Sequence, residues 1–87
     1  MKVVAKPIDV VAWFSKEGEP NPVQFRYEER DKGFKTIKID KVVHKEIEKF
    51  AGNPMLVFTC YSDINGIQRP YELKYELSTC KWMLFKI

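Results

Sequence analysis

The chain has 87 residues, which bounds it to a single domain over 1–87. A domain of that size buries only about 60–65% of the surface its unfolded form exposes, so most of its large apolar side chains must join the core. Fifteen Lys and Arg against twelve Asp and Glu leave a net charge of +3 with no run of five like charges, which argues against a dedicated polyanion-coating segment.

The elements follow from period-two alternation, the mark of strands with one buried side. In "PIDVVAWF" Ile8, Val10, Ala12 and Phe14 fall on one side, and Val11 and Trp13 on the other. Lys6, Pro7 and Asp9 interrupt this first apolar stretch, so no signal peptide is read there. "SKEGEPNP" reads as a loop, because Pro20 and Pro22 lack the amide hydrogen a central strand donates. "VQFRYEE" alternates Val23, Phe25 and Tyr27 against Gln24, Arg26 and Glu28. "RDKG" turns the chain at Gly33, and "FKTIKI" sets Ile37 and Ile39 against Thr36 and Lys38.

Residues 40–51 admit two readings. Val43, Ile47 and Phe50 would line one face of a short helix at 41–51, capped by Asp40 and stopped by Gly52 and Pro54. Lys41, Lys45 and Lys49 would then stack like charges at i, i+4, and a bulged strand continuing from Ile39 fits as well.

The last third is a meander. Asn65-Gly66 suits both positive-φ positions of a type I′ turn. It pairs Ile64 with Ile67, Cys60 with Tyr71, Phe58 with Leu73 and Leu56 with Tyr75. Pro70 falls opposite Tyr61, where a bulge or an edge is expected. A three-residue loop, Ser78-Thr79-Cys80, then pairs Tyr75 with Met83, Leu73 with Phe85 and Tyr71 with Ile87. It is preferred to a four-residue loop that sets Lys86 beside Leu73, because burying an unpaired lysine is costly. Trp82, Leu84 and Val57 are thereby assigned to the opposite face, beside Lys74, Glu76 and Lys86.

Side chains for chemistry are sparse. In this register Cys60 and Cys80 lie roughly 20 Å apart, beyond disulfide reach. With His44 the only histidine and no C-x-x-C, no metal set forms. No G-x-S-x-G, phosphate loop or H-E-x-x-H occurs. Glu72 and Glu76 flank Lys74 as a solvated charge ladder rather than an acid–base pair. The expectation is therefore no enzyme, no cofactor and no metal. What remains is binding: Trp82, Leu84 and Val57 beside Lys74 and Lys86 form the predicted site, unless another segment covers that face. An exposed tryptophan with basic neighbours fits a protein hot spot, and aromatics among lysines fit a single-strand nucleic-acid platform.

"GEPNPVQFRY" (Gly18 to Tyr27) followed by the terminal "YELKYELSTCKWMLFKI" resembles a family of small uncharacterised bacterial proteins. More remotely it is similar to a bacterial domain of unknown function encoded beside error-prone DNA-repair polymerases. The likeness rests on Gly18, Pro22, Phe25, Tyr27, Glu72-Leu73 and Trp82-x-Leu84, and fails between Asp40 and Gly52. It implies a mostly β fold and a nucleic-acid-related context, and it transfers no functional residue. The expectation is a mainly β domain, a small antiparallel barrel or curved sheet of five to six strands. It is read as a cytoplasmic, non-catalytic binding module with reduced cysteines and no membrane partner, since no stretch reaches the ~18–20 apolar residues of a span. Its partner is a protein or a second copy, with nucleic acid as the alternative.

Overall fold

The computed structural model describes residues 1–87 as one curved antiparallel sheet without a helix. Its strands are β1 (Val3–Phe14), β2 (Pro20–Glu29), β3 (Gly33–Lys38), β4 (Lys41–Phe50), β5 (Asn53–Ile64), β6 (Ile67–Glu76) and β7 (Lys81–Lys86). Their order across the sheet is β3-β2-β1-β7-β6-β5-β4. No helix is long and apolar enough to cross a membrane.

The long strand β1 is where the sheet folds over. Its first half pairs with β7, through Lys6↔Leu84 and Ile8↔Trp82, and its second half pairs with β2, through Val10↔Phe25 and Phe14↔Pro20. Two leaves result, with their inner sides facing each other. Phe25, Ile37 and Ile39 of one leaf meet Leu56, Phe58, Cys60, Tyr71, Leu73, Tyr75 and Leu84 of the other. The rings of Phe25 and Tyr71 lie 5.3 Å apart across the fold. Alternation in the sequence produces this directly, because one side of each strand is apolar and only closure over a shared interior removes it from water.

The link from β3 to β4 clasps the leaves together. The Ile39 N–H donates to the Val23 carbonyl (3.0 Å) and the Asp40 N–H to the Tyr61 carbonyl (3.1 Å). The Asp40 carboxylate accepts from the Asp63 N–H at 2.7 Å. Beneath it the Ser62 hydroxyl donates to the Lys38 carbonyl (2.6 Å). That uses the one hydrogen of Ser62, so the Tyr71 hydroxyl donates to Ser62 Oγ in turn. Burial pushes the Tyr71 phenol up, and pushes the Cys60 thiol up to about 12.

The β5–β6 register is the one read from Asn65-Gly66, with Cys60↔Tyr71, Phe58↔Leu73 and Leu56↔Tyr75. Asn65 and Gly66 have φ of 55° and 81°. Pro70 pairs with Tyr61 and breaks nothing. It lies past Glu72↔Lys86, the last pair of β6 with β7, so no ladder on that side requires its N–H.

Of the two readings of residues 40–51 the bulged strand holds and the helix fails, which brings the sheet to seven strands instead of five to six. Asp40 serves as an acceptor in the clasp instead of a helix cap, and the strand bulges at Val43 between Val42↔Cys60 and His44↔Thr59. Pro20 and Pro22 belong to β2 rather than to a loop. β3 joins β2 only from Gln24↔Lys38 onward, so both prolines sit where one side of β2 is unpaired.

The decisive correction concerns the β6–β7 turn. The loop has four residues, Leu77 to Cys80, between Glu76↔Lys81. Tyr75 therefore faces Trp82, and Leu73 faces Leu84, one position away from the predicted pairs with Met83 and Phe85. Cys80 takes φ 61° and its N–H donates to the Glu76 carbonyl at 2.8 Å. Lys86 escapes burial through a bulge at Phe85 that sets it opposite Glu72 and returns Ile87 to the interior.

Candidate interaction surface

The predicted site is divided by this register. Leu84 is buried in the core, and Trp82 packs inside at 4.7 Å from Tyr75 and 5.6 Å from Phe58. Val57, Lys74 and Lys86 share the outer face of β5, β6 and β7. There Val57 is 3% exposed and Lys74 only 8%. Lys74 Nζ is held by Glu48 at 2.8 Å and lies 3.6 Å over the Phe85 ring. A buried ammonium requires such partners. Lys86 reaches the same ring at 5.6 Å. Met55, Met83, Phe50 and Phe85 line a shallow depression of about 200 Å³ around Lys74.

Electrostatically this face suits phosphates poorly. Glu46, Glu48, Glu72 and Glu76 lie on it, and the ammonium of Lys74 is already spent on Glu48. Glu76 accepts from the Thr79 hydroxyl and from Asn53 Nδ2 (2.8 Å), which together hold its carboxyl below the usual carboxylate range.

The exposed tryptophan is the other one. Trp13 is 58% exposed and Val11, two residues before it, 55%. Both lie on the outer face of β1, because Ile8 and Val10 on the opposite side pack against the core. The same outer face carries Asp9, Gln24, Arg26, Thr36 and Lys38 through the pairs Asp9↔Arg26↔Thr36 and Val11↔Gln24↔Lys38. Arg26 Nε donates to Asp9 Oδ2 at 2.9 Å, and its guanidinium stacks 4.5 Å over the exposed Phe34 ring. A depression of about 370 Å³ lies between these residues, with Val11 and Arg26 on its rim.

The face thus combines apolar bodies, one planar cation and amide and hydroxyl groups, the composition of a protein contact surface. Alternation along β1 did place Trp13 and Val11 on one side. The signal available for Trp13 is that the charged Asp9 shares its side of β1, whereas Ile8, Val10, Ala12 and Phe14 leave the other side wholly apolar. No family model matches the chain, and no curated protein or solved structure shows significant similarity to it.

Proposed function

We infer that the protein is a non-catalytic binding module that contacts a protein partner or a second copy through the outer face of β1, β2 and β3. The exposure of Trp13 and Val11 as adjacent outer side chains carries this reading. Among the exposed apolar side chains, Trp13 and Val11 share the outer face that also carries Phe34, and apolar groups gathered on one face mark a contact site. The charge is modest, and Arg26 is already paired, so an apolar contact with a polar rim fits the face better than phosphate tracking.

A photo-crosslinking side chain in place of Val11 tests it. A discrete protein adduct or a self-adduct is expected, lost in the Trp13→Ala background and absent when the same group replaces Glu72. No such adduct from Val11 would refute the reading.

The second reading, a nucleic-acid-binding accessory protein, is favoured by Trp13 and Phe34 sharing this face with Arg26 and Lys38. Salt separates the two: oligonucleotide affinity would fall steeply between about 50 and 200 mM salt, whereas an apolar contact would barely respond.

A further inference from the structure

Strand β4 closes one end of the sheet order and pairs only with β5, so alternate N–H and C=O groups along it have no partner strand. At ten residues it is long for an edge, against six for β3 at the other end. Ile47 is 63% exposed on it, and Val43 and Phe50 are also exposed.

Its charges are sorted by side. Lys45 and Lys49, opposite Phe58 and Pro54, share the inner side with Ile47, which faces Leu56. Glu46 and Glu48, opposite Val57 and Met55, share the outer side with His44. This sorting rejects a second copy. Cross-strand partners in an extended sheet lie on the same side, and antiparallel self-pairing places residues symmetrically about a centre. A centre at Lys45, Glu46, Glu48 or Lys49 sets that charge against itself. A centre at Ile47 sets Glu46 against Glu48 and Lys45 against Lys49. A centre at any residue from Lys45 to Lys49 thus opposes like charges, which destabilises the pair. A centre at His44 would bring the Val43 bulge of both copies into the ladder, and one at Phe50 runs straight into the Ala51-Gly52 turn.

We propose that the free edge of β4 receives an extended segment of a different protein as an added antiparallel strand, one that alternates basic residues opposite Glu46 and Glu48 with acidic residues opposite Lys45 and Lys49. Main-chain bonds to the edge supply affinity that any sequence could share, and the two rows of charge choose the sequence. The inward lysines and the Val43 bulge that discourage indiscriminate edge pairing are thereby the elements that select the partner. Lys45 keeps its tie to Glu19 (3.2 Å) and Glu48 its tie to Lys74, so the edge is held in shape before the segment arrives. The inference is independent of the Trp13 face, which lies on the other leaf.

Two capped peptides of identical composition test it against the isotope-labelled full chain. Glu-Lys-Val-Lys-Glu-Thr, laid antiparallel from Lys49 to His44, opposes every charge with its complement. Lys-Glu-Val-Glu-Lys-Thr opposes like with like. The first should shift the amide signals of 42–50 and slow their hydrogen exchange, with affinity about tenfold above the second. The double variant Glu46→Lys/Lys49→Glu should erase that preference, because each peptide then meets two complementary and two like charges. Equal response to both peptides, shifts confined to β1–β3, or no response at millimolar peptide would overturn the proposal. So would association of the chain with itself through β4 in the absence of peptide.

Discussion

Replacing Trp82 by alanine removes an indole packed at 4.7 Å from Tyr75 and 5.6 Å from Phe58. Urea denaturation should show a loss of about 2–4 kcal/mol, below the range for a fully enclosed tryptophan because its rim reaches solvent. Trp13→Ala should change stability by less than about 0.5 kcal/mol while abolishing the Val11 crosslink. A large loss at Trp13 would mean that the indole is structural after all. Glu76 gives the acid limb of stability. Its folded pKa is depressed by the Thr79 and Asn53 hydrogen bonds, so its contribution is present above the unfolded carboxylate pKa and disappears as pH falls through the folded one. Melting temperatures measured from pH 6 down to pH 3 should fall less steeply for Glu76→Gln than for the native chain.

Among the elements, the hairpins differ in how well their loops match their geometry. Asn65-Gly66 has the residues a type I′ turn favours. Ala51-Gly52, joining Phe50↔Asn53, has φ of 51° and 76° and so holds alanine where asparagine or glycine is easier. Ala51→Asn should raise stability by about 0.5–1 kcal/mol in equilibrium unfolding. The β6–β7 loop explains why its register was not legible. Trp82, Met83, Leu84 and Phe85 are four consecutive apolar residues, so either side of β7 can face the core, and in the sequence only Lys86 discriminates between them. A bulge removed that constraint by shifting Lys86 across to Glu72. The interior pair lost from the prediction, Met83 and Phe85, lines the outer depression around Lys74 instead.

At the level of the whole molecule, closure depends on polar groups that no strand pattern announces. Tyr71 of β6, Ser62 of β5 and the Lys38 carbonyl of β3 form one chain of hydrogen bonds across the two leaves. Tyr71→Phe leaves Ser62 bonded to Lys38 but removes the link to β6, and should cost about 1–2 kcal/mol. Ser62→Ala strands both the buried phenol and the Lys38 carbonyl and should cost more, so the order of the two variants in chemical denaturation checks the direction of donation.

The amino-acid sequence by itself determined the strand content, the inner side of β1, β3, β5 and β6, and the Asn65-Gly66 register, because alternation and turn chemistry act between near neighbours. Only the tertiary structure decided which side of β7 is inside, that residues 41–50 extend as an edge, and that the predicted binding residues part company. Those outcomes turn on whether a strand has a neighbour on each side and where a bulge absorbs one residue. Both depend on which strands meet across the sheet, so spacing puts Trp13 on the outer side of β1 and only closure of the sheet decides that it stays in water while Trp82 does not.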